Sequence, residues 1–416
     1  MAATRTRMRL GVTEAGRMLL MGTVFFGLAA QLVPAFGVLS ALIVVLLTVL
    51  AVGFVLRPRI EVTAHLPDYV VAGQDAQFRY TLKNVARVPA YDLHVRFVGL
   101  PQTIEQVGGA QMVARLGPGE STEVAVTMRA RRRGNHLIPL PMCQSSFPFN
   151  LLVFGSHRKD KGTLTVLPVF YQLQMRLARL SGQGRSGVAG FAGRAEVSPE
   201  YAGNRPFLPG DSPRRIDTRA WARLSVPATK EYHNDADRCA ALVLDTRIRP
   251  DRKRTGDEEI PELEAAVSLC ASIAFSIQRD CLVEWFLAGP ELHDFTVSRG
   301  RPALGARAGR ARQGARVEAI HEILATVAPA ENYDLDRTAA ALTSHFHRIS
   351  EVVFILLRPD RAYLDLLGLA AASRCHCSVY RVAEADARSS ESDALPGDSV
   401  TLLSPEDILT GRLGPL

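Results

Sequence analysis

Apolar and polar residues change rhythm several times along the 416-residue chain. Met18 to Leu56 is a run of 39 residues without a single charge. As helix it would measure about 58 Å, close to two crossings of a ~30 Å hydrocarbon layer. Gln31, Pro34 and Gly37 interrupt the run near its middle. The pattern therefore predicts an N-terminal region, 1–57, holding a transmembrane hairpin with helices over 18–33 and 35–56. A single long tilted span, or an uncleaved signal anchor, would use the same run differently.

From Ile60 the period drops to two. Ile60–Ala64, Gln77–Lys83, Leu93–Val98, Glu123–Arg129 and Gly162–Leu167 alternate, and Ala72-Gly73, Gly108-Gly109 and Gly117-Pro118-Gly119 break them. Such runs predict an antiparallel, Ig-like β-sandwich over 58–170. A linker and motif segment, 171–238, follows, with a glycine-rich joint at Ser181–Gly193. Gly182-x-Gly184-x-x-Gly187 has the letters of a dinucleotide fingerprint, but no hydrophobic strand feeds it.

Over 239–416 strand and helix patterns alternate. Strands are expected at Cys239–Asp245, Leu282–Leu287, Glu351–Leu357 and, last, Cys377–Val382. Helices are expected at Pro261–Arg279, Arg312–Val327, Arg337–Ile349 and Ala362–Ser373. That order predicts an α/β, Rossmann-like domain, a mostly parallel sheet with helices on both faces. Ligands of such sheets sit beyond the carboxyl ends of the strands, which makes Asp245 the first residue to inspect.

Charge adds an orientation. Arg5, Arg7, Arg9 and Arg17 precede the apolar run, and Arg57 and Arg59 follow it. Basic flanks on both sides place both in the cytoplasm. Cysteines 143, 239, 270, 281, 375 and 377 lack framework spacing, as reduced thiols would. The net charge of +7 is carried by scattered arginines without interleaved aromatics, which argues against nucleic acid.

The densest chemistry is Phe207–Arg223. There Pro209, Gly210, Asp211 and Pro213 form a turn beside Arg214, Arg215, Ile216, Asp217, Trp221 and Arg223. Arginines with nearby acids suit either a docking site for an acidic partner or an internal clasp of ion pairs. Arg131–Arg133 reads as a solvated turn, and Arg307, Arg310, Arg312 and Arg316 as a basic loop entering a helix. In Cys375-His-Cys377 strand alternation parts His376 from the two thiols, which disfavours zinc. His345 and His347 stand too close in sequence to share a helix face. No nucleophile elbow, metalloprotease pair or phosphate loop is present, so no catalytic residue is assigned.

Phe207–Arg223 is similar to the signature of domain-of-unknown-function family fifty-eight, roughly Arg-Glu-Tyr-x-Pro-Gly-Asp-x-Pro-Arg-x-Ile-x-Trp-x-x-x-Ala-Arg. Lys230-Glu231, Leu242–Asp245 and Glu264–Ala274 continue the resemblance. Pro206-Phe207 replaces Glu-Tyr, and Thr218 replaces the tryptophan, with Trp221 nearby. The resemblance implies two membrane helices, a β-sandwich and a von Willebrand factor A-like C-terminal domain in a bacterial inner membrane. It implies no settled activity. It further implies partners among MoxR-type AAA ATPases and transglutaminase-like membrane proteins, hence an adaptor or scaffold. An envelope hydrolase or a purely structural membrane protein is the alternative.

Von Willebrand factor A domains bind Mg²⁺ through Asp-x-Ser-x-Ser. Here Asp245-Thr246-Arg247-Ile248-Arg249 puts arginines at both serine positions. Mg²⁺ requires oxygen ligands, so no cofactor is expected. Thr246 keeps a hydroxyl, but alternation turns it to the other side of the chain.

Overall fold

Phe78, Tyr80 and Leu82 alternate with polar neighbours, and on the paired strand Val124, Val126 and Met128 alternate with exposed or half-exposed ones; all six are buried. That ladder is the centre of the first of two units, Met1–Leu167 and Pro168–Leu416. The computed structural model describes residues 7–29, 36–109, 111–157, 160–175, 200–207, 216–233, 239–248, 260–278, 281–295, 308–330, 333–358, 361–383 and 400–414.

The first unit runs β1 (Arg7–Val12), α1 (Glu14–Ala29), α2 (Phe36–Val55), β2 (Ile60–His65), β3 (Tyr69–Val71), β4 (Asp75–Asn84), β5 (Ala90–Arg96) and β6 (Ile104–Val107). It continues with β7 (Gln111–Leu116), β8 (Ser121–Ala130), β9 (Gly134–Pro139), β10 (Met142–Ser145), β11 (Leu152–His157) and β12 (Lys161–Leu167). Three sheets result, ordered β2-β4-β8-β6, β1-β11-β10-β5-β7 and β3-β12-β9. The fold is β-sandwich-like, as the alternation predicts, but not wholly antiparallel, since β3 pairs parallel with β12.

A strand before the helices is unforeseen. β1 pairs antiparallel with β11, Val12 opposite Leu152 and Arg7 opposite His157. The chain thus leaves the sandwich after Val12 and re-enters it as β2. The Thr13 hydroxyl accepts from Gly16 N at 3.1 Å and donates to Asn150 O at 2.6 Å. This N-cap starts α1 at Glu14, ahead of the charge-free run and of the expected 18–33. Gly16 lies on the Leu151 carbonyl and Gly53 on the Phe154 ring, where a Cβ would overlap either neighbour. α2 is long and apolar enough to cross a membrane by length and composition, and it is the one such helix among the described residues. The turn expected around Pro34 lies outside the described residues.

The second unit contains β13 (Glu200–Pro206), α3 (Thr218–Leu224), β14 (Ala228–His233), β15 (Cys239–Leu244), α4 (Pro261–Ile277), β16 (Leu282–Ala288) and β17 (Glu291–Asp294). Then come α5 (Ala308–Thr326), α6 (Asp336–Thr343), β18 (Glu351–Leu356), α7 (Arg361–Ala372), β19 (His376–Val382), β20 (Val400–Leu403) and α8 (Pro405–Leu409). Six strands form one sheet, β17-β16-β15-β18-β19-β20, parallel except for β17. The four expected strands are its centre. The last strand is β20 rather than β19; its four residues, Val400-Thr-Leu-Leu403, are a short run that suffices at a sheet edge. The helix expected over Arg337–Ile349 stops at Thr343, and a short 3-10 turn, Phe346–Arg348, follows.

Parity along β15 separates two cores. Ala240, Leu242 and Leu244 pack with Ile273 of α4 and Ile320 and Leu324 of α5. Cys239, Ala241 and Val243 pack with Leu342 of α6 and Tyr363 and Leu366 of α7. Three serines of α4, each one turn from the next, tether an extended segment. Ser268 Oγ donates to Val169 O, and Ser272 and Ser276 accept from the amides of Tyr171 and Leu173.

Candidate functional site

Asp245 follows β15 and continues its odd parity, so its carboxylate faces the α6 and α7 side of the sheet. It is fully buried. Its Oδ1 accepts from Arg247 N at 3.0 Å, Arg247 Nε at 3.3 Å and the Tyr333 hydroxyl at 3.2 Å, and Oδ2 accepts from Arg358 N at 3.1 Å. The Tyr333 and Tyr363 hydroxyls lie 2.8 Å apart. Since Tyr333 spends its one proton on Asp245, Tyr363 donates to Tyr333. Tyr333 O also accepts from Thr246 N at 3.3 Å.

The Arg247 guanidinium completes the box. It lies over the ring of Tyr363 at 4.7 Å and that of Tyr333 at 5.4 Å, with its side chain only 11% exposed. Burial pushes the Asp245 carboxyl up, while Arg247 and the Arg358 amide pull it back. Burial also raises the Tyr333 and Tyr363 phenols, and the Asp245 charge reinforces it. The chain itself fills the space beyond the strand: Ala330 N donates to Thr246 O, and Ile248 N to Ala330 O. Thr246 is buried, and its Oγ1 packs against Gly289, which has φ +59° and no room for a Cβ.

Asp245 and Thr246 were legible as the end of a strand. Tyr333, Tyr363 and the Arg358 amide were not; each comes from a separate element brought in by the fold. Among the described residues no group of three His, Cys, Asp or Glu side chains is placed to hold a metal. Cys375 instead hydrogen-bonds the carbonyls of Phe346 and Ile349, and His345 stacks on Trp285.

In the arginine-rich stretch Pro209, Gly210, Asp211, Pro213, Arg214 and Arg215 lie outside the described residues. Ile216 bridges Thr229 on the edge of β14 that faces away from β13, Thr229 being paired with Arg205 of β13 on its other side. Asp217 caps α3, accepting from Arg219 N and Ala220 N, and also accepts from Asn204 Nδ2. α3 ends at Ser225 in the left-handed region, φ +55°. Trp221 is 43% and Val226 53% exposed, and Arg219 and Arg223 are exposed beside them. None of the four is among the polar partners of Asp245.

Residues 203–281, from β13 through α4, match the family model described as "Protein of unknown function DUF58". No curated protein matches. Among solved structures, native alpha-2-macroglobulin of Escherichia coli is 16% identical over 28% of this chain, with a TM-score of 0.22. The match spans 18% of that solved chain, which runs from domain MG7 to the C-terminus. The CARDB domain of PF1109 from Pyrococcus furiosus, in complex with di-metal ions, is 16% identical over 27% of this chain and 90% of its own, with a TM-score of 0.18. A PapD-like domain of human CEP192 is 11% identical over 26% of this chain and 84% of its own, at 0.16.

Proposed function

We propose that this protein is a membrane-anchored cytoplasmic adaptor. α1 and α2 cross the inner membrane as a hairpin. The support is topological: β1 ahead of α1 and β2 after α2 belong to one sandwich, so both ends of the helix pair emerge on the same face. With basic flanks, that face is the cytoplasm.

The second unit is, in this reading, a von Willebrand factor A-like protein-binding domain working without Mg²⁺. Its strand order, with the family motif leading into β15, supports the likeness. At Asp245 four protein donors already engage the carboxylate. A guanidinium stands where hydroxyl ligands would have to be, so the donor set does not fit a divalent cation. Arg247 supplies the countercharge instead.

The observation that carries the adaptor reading is the exposed Trp221 between Arg219 and Arg223, inside the span that the family model covers. Exposed tryptophan and arginine are the residue types that anchor protein interfaces. The partner is a MoxR-type AAA ATPase or its client, and its acidic groups meet the arginines.

The test is a crosslinking pull-down of full-length protein from native membranes, wild type against Trp221→Ala and Arg223→Ala. Both positions are exposed, so both variants should fold, which circular dichroism checks. An AAA ATPase recovered with wild type and lost with the variants supports the reading. Equal recovery by all three removes this face from consideration.

A further inference from the structure

Three turns meet at the end of the sandwich from which the helices depart. The first, residues 85–89, follows β4, and its Val85 N donates to Arg59 O at the exit of α2, 2.9 Å. The second, residues 117–120, is joined to it through fully buried Asn84. That side chain donates to Val88 O at 2.9 Å and Leu116 O at 3.0 Å, and accepts from Ala86 N at 2.9 Å. The third, residues 146–151, is joined to the start of β5 by Ser145 Oγ donating to Tyr91 O at 2.6 Å, and by Phe147 packed on Tyr91 at 4.7 Å. Its Asn150 carbonyl takes the Thr13 hydroxyl at the root of α1.

This pole is thus built around the two helix roots. It also keeps large apolar groups in the open: Phe149 is 47% exposed and Val85 53%. They continue the exposed apolar wall of α2, where Phe54 and Val55 are 53% and 63% exposed. Arg59, at the exit of α2, and Arg87, on the first turn, are exposed and make no ion pair among the described residues. The nearby acids are engaged locally, Glu120 with Gly117 N and Glu14 with Arg17.

We infer that this pole is a lipid-facing surface. Phe149 and Val85 enter the boundary between headgroups and acyl chains, and Arg59 and Arg87 pair with phosphates of anionic lipid. Aromatic and apolar groups at that depth, beside arginines at the surface, match the chemistry of the interface. The inference rests on the membrane reading above and adds what that reading lacks: the sandwich lies on the bilayer.

The test reconstitutes full-length protein into phosphatidylglycerol vesicles whose acyl chains are brominated near the headgroup. It compares Phe149→Trp with Met112→Trp, wild-type emission being subtracted from both. Met112 is 57% exposed and sits at the other end of β7, four residues from Leu116, about 13 Å along the strand. The expected result is quenching of the Phe149→Trp emission by about twofold with Met112→Trp unchanged. Adding Arg59→Gln and Arg87→Gln should lessen the quenching.

Extraction by alkaline carbonate is run alongside. Protein that resists carbonate while Phe149→Trp is as unquenched as Met112→Trp overturns this inference and leaves the anchor standing. Protein that carbonate releases overturns both. Unfolding is excluded by matching circular dichroism spectra.

Discussion

Replacing Arg247 by methionine keeps an unbranched stem and removes the guanidinium with its charge. Asp245 then loses the Arg247 Nε bond and the guanidinium, and keeps the backbone amides of residues 247 and 358 and the Tyr333 hydroxyl. Removing one member of a buried pair costs about 3–5 kcal/mol, because the other charge stays buried. The lost contacts of the cation with Tyr333 and Tyr363 are part of that cost. Hydrogen exchange of the full-length protein in detergent reads it locally, at the amides of β15 and β18. The acceleration at neutral pH should be about two to three and a half powers of ten.

The effect has a pH signature. Burial already lifts the Asp245 carboxyl above its unfolded value of 3.8, and Arg247 is one of the groups holding it down. Without Arg247 the folded-state value rises further, so the native variant binds a proton that the unfolded chain has released. Its stability is therefore greatest below the unfolded value and falls as pH rises through the interval up to the folded one. After correction for intrinsic rates, the variant should lie closest to wild type in acid. Adding Asp245→Asn should restore much of the protection at neutral pH. Acceleration under about tenfold, the same at every pH, would refute the view that Arg247 compensates Asp245.

Two further outcomes are expected. Asn84→Ala leaves the Val88 and Leu116 carbonyls without their buried donor, and should destabilise the sandwich by roughly 1–3 kcal/mol for each group left unsatisfied. Faster proteolysis within 85–120 would register it, and unchanged cleavage would contradict it. His321 is buried and hydrogen-bonded to Ala271 O, and burial lowers its folded value below 6.5. Stability should fall as pH drops below 6.5, where the unfolded chain gains the proton first. His321→Gln should flatten that slope without abolishing it, since His293 shifts the same way. A slope unaltered in thermal melts would exclude His321 as a source.

What could be read from sequence was what is local. Period two marked β2, β4, β5, β8 and β12, and the solid apolar runs marked β15, β16 and β18. β1 escaped although Met8, Leu10 and Val12 alternate with Arg7, Arg9 and Gly11, because its partner β11 lies far along the chain and its arginines read as the basic flank of the apolar run. α1 was placed late because its start is set by Thr13, whose cap depends on the Asn150 turn. At Asp245 the residue types at 247 and 249 revealed what was missing, two hydroxyls, but not what had gathered around the carboxylate. That answer needed Tyr333 and Tyr363, which only the packing of α6 and α7 brings to the end of β15.

The position of β1 bears on biosynthesis. Val12 leaves the ribosome about 140 residues before its partner Leu152, which at ~5–20 residues per second is roughly 7–30 s. Until then β1 has nothing to pair with, and the outer edge of β11 is open until β1 docks on it. A strand that waits beside a helix pair can be captured by the β11 edge of a neighbouring copy as readily as by its own. Strand exchange between crowded copies is therefore the misassembly to which this topology is most exposed.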